Sequence, residues 1–260
     1  MSTSLSPCSD TTTIIARLRA AGCVFAEDEA RLLRAAAHSS TDLDAMVEQR
    51  AGGLPLEHVL GWAEFHGLRI AVDPGVFVPR RRTEFLVRQA AALARPGAVV
   101  VDLCCGSGAV GAALATVVDR IELHSADIDP AAVRCARRNV ATVYEGDLYQ
   151  PLPARLRGRV DVLVANAPYV PTGAIELLPP EARIHEPRVA LDGGADGLDV
   201  QRRVVADALR WLVPGGHLLV ETSERQAPRT VETFTRGGLT ARVTSCEELG
   251  ATVVLGKRPN

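Results

Sequence analysis

Residues 99–108 read Val99-Val-Val-Asp-Leu-Cys-Cys-Gly-Ser-Gly108 and carry the clearest sign of the fold class. Their valine-rich half predicts a buried β-strand, and the glycine-rich turn after it leads into a helical pattern near residues 110–118. Gly106 and Gly108 tolerate positive φ angles and let the backbone pass close to a ligand, where a Cβ would collide. A strand, a glycine turn and a helix in this order are typical of nucleotide-binding α/β sheets.

Short apolar runs alternate with helical segments after this turn. We predict further strands over residues 121–127, 140–145, 160–166 and 216–221, and helices near 110–118, 130–138 and 200–212. Such alternation indicates a mostly parallel sheet covered by helices on both faces. The last two apolar runs, residues 239–245 and 251–257, predict an antiparallel hairpin. The expected fold class is therefore α/β, a Rossmann-like class I methyltransferase sheet of seven strands that ends in an antiparallel hairpin.

The first third of the chain has a different pattern. Helical periodicity with capping and stop residues predicts short helices over residues 10–21, 27–37 and 42–50. Phe65 to Val72 is predicted as a strand, broken by Pro74-Gly75, that belongs to a connecting hairpin. We expect three parts: a helical N-terminal domain (1–62), a linking β-hairpin (63–78) and an α/β domain (79–260).

The composition restricts the class of protein. The 260 residues are 47% hydrophobic and carry a formal net charge of −2, whereas a non-specific nucleic-acid binder is usually strongly basic. No stretch approaches the roughly 18 apolar residues of a membrane helix, and the Ser/Thr-rich residues 1–10 lack the features of a signal peptide. The six cysteines show no paired spacing, which predicts reduced thiols, no metal site and a cytoplasmic protein.

The identity of the nucleotide depends on an acidic residue before the glycines. Gly106, Gly108 and Gly111 have the spacing of a dinucleotide-binding turn, so spacing alone does not exclude a dehydrogenase. Asp102 argues against it, because a carboxylate near the turn would repel a pyrophosphate. The same carboxylate would attract the cationic methionine part of S-adenosylmethionine.

Acidic residues also follow the next two predicted strands. Asp127 lies roughly 20–25 residues after the glycine turn, the position from which a carboxylate binds ribose hydroxyls in nucleotide folds. Asp129 precedes Pro130 and is expected to cap the next helix instead. Asp147 follows the third strand and could hold an adenine amino group. Acids at three successive strand ends favour a nucleotide-like cofactor.

The loop Asn166-Ala167-Pro168-Tyr169 follows the apolar strand at 160–165 and indicates the reaction. A planar NH2 group is a poor nucleophile, because its lone pair is delocalised. Two acceptors, the Asn166 side-chain oxygen and the Ala167 carbonyl, could bind its two hydrogens and direct its nitrogen at a methyl group. Pro168 would fix the bend, and Tyr169 would stack on a flat substrate. We therefore predict methyl transfer to a planar nitrogen.

Several spaced motifs resemble the HemK/PrmC family, the protein-(glutamine-N5) methyltransferases that modify peptide-chain release factors. In chain order they are Pro55-Leu-Glu-His-Val-Leu-Gly61, Glu64-Phe65, Val78-Pro-Arg-Arg-Arg-Thr-Glu84, the 102–108 turn, Asp127, Asp147, the 166–169 loop and the segment from His185 to Gly197. With the small helical N-terminal domain, the resemblance covers nearly the whole chain.

The resemblance implies a role for each matching residue. The catalytic residues would be Asn166, Ala167, Pro168 and Tyr169. The cofactor, S-adenosyl-L-methionine, would be held by Asp102, Cys104, Gly106, Gly108, Asp127, Ile128, Asp147, Leu148 and Asn166. The glutamine of a release factor-like protein substrate would be bound by Asn166 and Tyr169, with Arg80 and Glu84 building the site from the linker side.

Two positions depart from the family pattern. The family's loop is usually Asn-Pro-Pro-Tyr, and Ala167 stands at its second position. The acceptor there would be a backbone carbonyl, so the chemistry should survive in a less rigid loop and a wider pocket. Cys104-Cys105 replaces a glycine and a small hydroxyl residue. These departures affect the expected substrate more than the expected reaction. The chain could therefore be a divergent paralogue whose target is not a release factor.

Three further alternatives remain open from the sequence. The chain could methylate a nitrogen of a small metabolite. It could methylate the amino group of adenine in nucleic acid, although its acidity and the lack of a recognisable target-recognition domain argue against this. It could also be a binding protein that keeps the cofactor fold without catalysis, but that reading predicts the loss of Asn166 or Tyr169, and both are present.

Overall fold

The structure is a computed structural model, and it describes residues 10–260. Residues 1–9, with most of the Ser/Thr-rich segment and Cys8, lie outside the described residues. The N-terminal part consists of helices α1 (Thr11–Ala20), α2 (Ala26–Ala36), α3 (Ser40–Ala51) and α4 (Leu56–Leu60). The first three confirm the predicted helices to within two residues at each end, and α4 was not predicted. Their apolar faces share a core of their own, with Ile14, Leu18 and Leu33 at its centre.

The connecting hairpin differs from the sequence prediction. Strands β1 (Trp62–Phe65) and β2 (Leu68–Ala71) pair in antiparallel fashion. The predicted hairpin is present, but the strand predicted over 65–72 begins too early, because the His66-Gly67 turn separates Phe65, the last residue of β1, from β2. Both turn residues have positive φ, 52° and 75°, as the two-residue turns of twisted hairpins require.

The main sheet has seven strands, which confirms the predicted fold class. They are β3 (Val99–Leu103), β4 (Glu122–Asp127), β5 (Val143–Glu145), β6 (Val160–Ala165), β7 (Leu212–Thr222), β8 (Thr240–Cys246) and β9 (Ala251–Lys257). The spatial order is β5-β4-β3-β6-β7-β9-β8, and the pairs from β5 through β7 are parallel. Strand β9 runs antiparallel to both of its neighbours, as the predicted terminal hairpin requires.

Helices cover both faces of this sheet. They are α5 (Glu84–Ala91), α6 (Ala109–Val117), α7 (Pro130–Ala136), α10 (Asp199–Trp211) and α11 (Ala227–Arg236), with two short helices, α8 (Pro180–His185) and α9 (Arg188–Leu191), between β6 and α10. Helices α5, α6 and α7 share one apolar core with the sheet, and α10 and α11 share the other. Helices α5, α8, α9 and α11 were not predicted; α11 is rich in threonine, a weak helix former.

Burial of the central strand explains why the valine-rich run is so informative. All five residues of β3 are buried, and Val100, Val101 and Leu103 are fully inaccessible. Each such side chain contributes about 1.5–3 kcal/mol through removal from water. Strand order reverses between β3 and β6, so their carboxyl ends open a crevice, the usual ligand site of such sheets.

Two expectations about the whole chain concern thiols and membranes. The five cysteines among residues 10–260 are all free, which agrees with the reduced thiols expected from the sequence. Within the same residues, no helix combines the length and the apolarity needed to cross a bilayer.

Candidate active site

A cavity of about 440 Å³ opens at the carboxyl ends of β3, β4 and β6. The glycine turn and the ends of the strands form its floor, and the loop after β6 forms one wall. Phe77, Arg80 and Arg82 also line the cavity, and the segment at 178–191 covers part of the opening. Its volume is within the range of small-ligand sites.

The proposed ribose carboxylate lies in the wall of this cavity. Asp127 Oδ2 accepts a hydrogen bond from the Gly106 amide at 2.8 Å, and Oδ1 accepts one from the Asp129 amide at 2.9 Å. Burial raises the pKa of Asp127, and these two amides oppose the shift. Each carboxylate oxygen keeps a lone pair, so the group can still accept bonds from a ligand. Asp129 itself caps α7 through the Ala131 amide at 2.8 Å, as predicted.

Cys104 also lines the cavity, in a backbone conformation that normally favours glycine. Its φ is 55°, in the left-handed region. Burial, together with the charge of Asp127, holds the pKa of its thiol well above the ordinary value. The side chain is therefore a neutral thiol, and it presents a small apolar surface to the cavity.

The residues after β5 complete this side of the cavity. Asp147 and Leu148 line it, as does Ile128 after β4. Asp147 forms an ion pair with Arg203 of α10, which lines the cavity as well. The apolar side chains of Ile128 and Leu148 leave a surface suited to a flat ring, flanked by the polar Asp147.

Asp102 and Gly108 lie outside the cavity wall. The Asp102 side chain is 1% exposed, and its Oδ2 accepts a hydrogen bond from the Gly111 amide at 3.1 Å. Burial raises its pKa to about 7. A Cβ at Gly108 would lie 3.1 Å from Val140 Cγ2 and 3.3 Å from Ala136 Cβ, so this glycine lets the start of α6 pack against the end of α7 and the residues after it. Side chains alternate along a strand, and that of Asp102 faces α6 rather than the ligand side.

The loop Asn166–Tyr169 forms the wall beyond β6, and all four residues line the cavity. The Asn166 Nδ2 amide donates to Thr83 Oγ1 at 3.3 Å, which leaves its Oδ1 free to accept. Tyr169 accepts a hydrogen bond from Arg82 Nη2 at 2.7 Å, and this guanidinium also lies over its ring. The structure therefore brings the acceptor and the ring expected of the loop into one cavity.

Residues 191–193 and Gln226 form hydrogen bonds with the backbone at the end of this loop. Val170 donates its amide to the Leu191 carbonyl at 3.0 Å, and its own carbonyl accepts from the Gly193 amide at 2.9 Å. Gln226 Nε2 donates to the Tyr169 carbonyl at 2.9 Å. Two glycines of the 185–197 motif, Gly193 and Gly197, are thus required by close packing against the Pro168 and Tyr169 carbonyls.

Of Arg80 and Glu84, which were expected to build the site from the linker side, only Arg80 reaches it. Arg80 lines the cavity and forms an ion pair with Glu186 Oε1 at 2.5 Å. Glu84 is not in the cavity wall; its Oε1 accepts from the His66 amide at 3.1 Å and holds the hairpin turn instead. Glu84 begins α5, and the helix directs its side chain toward β1 and β2.

Sequence reasoning missed four residues of the site. Arg82 and Thr83 lie inside the 78–84 motif but were not singled out. Glu186 accepts hydrogen bonds from the Val78 amide and from Arg80, and it lines the cavity. Glu221 is the penultimate residue of β7 and accepts from Arg82 Nε at 3.1 Å. The available signal for Glu221 was an acid at the end of an apolar strand, the same signal that identified Asp127.

The buried side chain of Arg50 connects the N-terminal helices to α8, which lies in the segment that covers the cavity. Arg50 Nε donates to Glu29 Oε2 at 2.6 Å within the N-terminal part, and its Nη1 reaches Glu181 Oε1 of α8 at 2.5 Å. Arg50 is 7% exposed, and Glu181 lines the cavity. The position of α8 over the site therefore depends on α3.

Comparisons with known proteins identify relatives of this chain. The sequence model of the methyltransferase small domain matches residues 67–194. The release factor glutamine methyltransferase of Geobacter sulfurreducens is 39% identical over 219 residues, which cover 82% of this chain and 76% of that protein. The enzyme of the same name from Mycolicibacterium smegmatis is 43% identical over 210 residues, 78% and 74% of the two chains.

Solved structures are similar in fold. A methyltransferase from Pyrococcus furiosus matches with a TM-score of 0.57 at 16% identity, covering 75% of this chain and 90% of that one. A ribosomal protein L11 methylase from Lactobacillus delbrueckii matches with a TM-score of 0.53 at 15% identity, covering 74% and 86%. Sequence identity is too low in both for more than the fold. The identity and coverage of the two relatives, however, show that the chain belongs to the release factor glutamine methyltransferase family.

Proposed function

We propose that this protein transfers the methyl group of S-adenosylmethionine to the side-chain N5 of a glutamine in a release factor-like protein. The observation that carries the proposal is the placement of Asn166 to Tyr169 in the cavity, with the Asn166 oxygen free to accept. The names of the relatives at 39% and 43% identity support the glutamine substrate. They favour it over the small-metabolite and adenine alternatives.

The proposed chemistry follows from the poor nucleophilicity of an amide. Asn166 Oδ1 and the Ala167 carbonyl accept the two N–H groups of the glutamine amide, which concentrates electron density on its nitrogen. The Tyr169 ring packs against the amide plane, and its position is fixed by Arg82. No strong base is required before transfer, because a sulfonium methyl group is already a strong electrophile. The new N–C bond forms as the bond between the methyl group and the sulfonium sulfur breaks, and one of the two amide protons then leaves the nitrogen for solvent.

The cofactor supplies an electrophilic methyl group on a sulfonium when it is bound. The residues in the cavity fit it: Asp127 retains acceptor capacity for ribose hydroxyls, and Ile128 and Leu148 offer apolar surface to the adenine. Asp147 would accept from the adenine amino group, and Cys104 and Gly106, which also line the cavity, would help to hold the methionine part. We assign Asp102 and Gly108 an indirect role, in which they fix the turn through Gly111 and through the packing of α6.

The substrate enters, in this proposal, from the side of the linker. Arg80 lines that side and Glu84 supports it through the hairpin turn. We propose that residues 1–62, 63–78 and 79–260 are three functional units. The methyltransferase site lies in the last of them. A target in translation places the protein in the cytoplasm.

The proposal is tested by offering the protein labelled S-adenosylmethionine with release factors, nucleic acid and a small-molecule extract. We expect label on the glutamine of a Gly-Gly-Gln segment, located by mass spectrometry, and no label on a release factor whose glutamine is replaced by alanine. The Asn166→Ala protein serves as the enzyme control. Label confined to nucleic acid or to small molecules would refute the proposal.

A further inference from the structure

We propose that Asn139 is a positioning residue that joins the glycine turn (residues 104–108) to the hairpin of β1 and β2, so that cofactor binding and the position of the hairpin depend on each other. Asn139 follows α7, which ends at Ala136, and it does not line the cavity. The inference rests on the cofactor placement proposed above. It does not depend on which nitrogen is methylated.

The side-chain amide of Asn139 forms hydrogen bonds with two different parts of the fold. Its Nδ2 donates to the Ser107 carbonyl at 2.8 Å and to the Ala71 carbonyl at 2.9 Å, and its Oδ1 accepts from the Ala71 amide at 2.9 Å. Both hydrogens of the NH2 group are therefore used. A reversed amide would place its oxygen against two carbonyls and its NH2 group against an N–H group, so only one orientation is favourable.

The bond to Ser107 supports a turn with an unfavourable backbone conformation. Cys104 and Gly106 have φ angles of 55° and 54°, in the left-handed region, and both residues line the cavity. A cysteine adopts this conformation only where surrounding contacts maintain it, because its Cβ crowds the backbone. Asp127 holds the Gly106 amide, and Asn139 holds the carbonyl of the next residue, Ser107. The shape of this part of the cavity therefore depends on Asn139.

The two bonds to Ala71 attach the hairpin to the same side chain. Ala71 is the last residue of β2, and it is paired with Trp62 of β1. The Asn139 amide binds both the N–H and the carbonyl of Ala71, as a neighbouring strand would. Cys135 Sγ of α7 also donates to this carbonyl, at 3.1 Å. The end of β2 is therefore fixed to the end of α7, and through Asn139 to the glycine turn.

The hairpin is in turn connected to the linker residues of the cavity wall. The chain leads from β2 to Phe77 and Arg82, which line the cavity. The His66 amide in the hairpin turn donates to Glu84 Oε1 at 3.1 Å, and Glu84 is two residues after Arg82. Asn139 thus lies between the turn that holds the cofactor in our proposal and the linker that lines the same cavity. A ligand that orders the turn should therefore order the hairpin as well, and the coupling is reciprocal.

Amide hydrogen exchange with and without S-adenosylmethionine tests the coupling in the wild-type protein. We expect the cofactor to slow exchange over residues 62–72, which do not line the cavity, more than over β8 at the far edge of the sheet. This difference should disappear in Asn139→Ala, which removes all three hydrogen bonds. It should also disappear in Asn139→Asp, because a carboxylate has no N–H to donate to Ser107. Equal slowing of 62–72 and β8 in the wild-type protein would overturn the inference.

Isothermal titration with S-adenosylmethionine measures the effect on affinity. We expect the Kd to rise on the order of 10-fold in Asn139→Ala and in Asn139→Asp, within the usual range for coupling between two sites. The matched control is Arg138→Met, since Arg138 Nη2 forms an exposed ion pair with Asp73 Oδ1 at 2.7 Å. This pair joins the same end of α7 to the chain just after β2 without contacting the glycine turn. The Kd of Arg138→Met should remain close to the wild-type value.

Thr230→Val separates positioning from general destabilisation. Thr230 is fully buried and donates to Gln201 Oε1 at 2.9 Å, and neither residue lines the cavity. This variant should lower the thermal midpoint and leave the Kd unchanged. Equal increases of the Kd in Thr230→Val and Asn139→Asp would show a merely structural role and refute the inference. A Kd that rises in Asp127→Ala but in neither Asn139 variant would overturn this inference alone, whereas a Kd unchanged in all three would also refute the proposed cofactor placement.

Discussion

Gly197 lies directly against the carbonyl group of Tyr169, so closely that a Cβ at position 197 would overlap the carbonyl oxygen and the Gln226 side chain. Its φ of 79° is in the left-handed region as well. The segment at 193–197 therefore fixes Tyr169 of the 166–169 loop through backbone contact. This contact, more than the turn in which the residue lies, explains why position 197 is a glycine.

Gly197→Ala should damage both activity and stability, because the new methyl group must displace the Tyr169 backbone. We expect a large loss of kcat and a lower thermal midpoint. The matched control is Gly75→Ala, since Gly75 has a φ of 80° and a Cβ added there would meet no atom within 4 Å. It should show only the strain of about 1–2 kcal/mol for a left-handed residue. Similar activity in the two variants would contradict the contact argument.

Asn166→Ala should abolish transfer while nearly preserving cofactor binding. The change removes the acceptor for the substrate amide and one side-chain hydrogen bond, to Thr83. A rate loss on the order of 10²–10³-fold is expected for removal of a group that stabilises the transition state. Isothermal titration with S-adenosylmethionine checks the cofactor. A strong loss of cofactor affinity would show that the loop serves cofactor binding instead.

Asp127→Ala should weaken cofactor binding first. The carboxylate is the proposed acceptor for ribose hydroxyls, and it also holds the Gly106 and Asp129 amides. Hydrogen bonds to a charged group contribute about 1.5–3 kcal/mol, so the Kd should rise by about 10- to 100-fold. Saturating cofactor should restore part of the rate. Unchanged affinity would remove Asp127 from the ribose site.

Asp102→Asn should change how stability depends on pH. Burial raises the pKa of Asp102 to about 7, above its value in the unfolded chain. The protonated carboxyl is thus favoured in the folded state. Its contribution to the free energy of unfolding is complete at low pH and is lost as the pH rises through 7. The loss is at most ~4 kcal/mol, from 1.36 kcal/mol per pKa unit. Asparagine cannot ionise, so the Asp102→Asn protein does not lose this stability as the pH rises.

Denaturant titrations at pH 5 and pH 8 measure this effect. The difference in the free energy of unfolding, Asp102→Asn minus wild type, should be larger at pH 8 than at pH 5. The variant should therefore gain stability relative to the wild-type protein as the pH rises. The Gly111 amide can still donate to the asparagine oxygen, so the turn should persist. An identical pH slope in the two proteins would show that Asp102 ionises in the folded and unfolded chains alike.

Arg50→Met should destabilise the protein by about 3–5 kcal/mol, because it leaves the buried Glu29 without its partner. It should also release α8, since Glu181 loses the same cation. Chemical unfolding measures the first effect, and hydrogen exchange over residues 180–185 the second. Arg17→Met is the control: its pair with Glu48 is exposed and should contribute less than about 1 kcal/mol. Equal losses would contradict the role of burial.

Strand periodicity and strand ends were readable from the sequence because they depend on local chemistry. The run at 99–103 and the terminal hairpin at 240–257 were predicted nearly at their observed bounds, since β-branched runs between turn residues have few other uses. The His66-Gly67 turn was missed because it interrupts an alternating pattern that also suits one strand. Helix α11 was missed because its stability comes from packing, through residues such as Phe234, and not from helix propensity.

The sequence by itself determined the sheet, the loop at 166–169 and the acids at the strand ends, because each is written in a short stretch of chain. Only the tertiary structure decided which of them face the cavity: Asp127 does, whereas Asp102 is turned into the core and Glu84 toward the hairpin. It also joined Glu221, Arg82 and Tyr169, which lie far apart along the chain. The physical reason is that side-chain direction and long-range pairing depend on how strands and helices pack, and a local pattern does not record that.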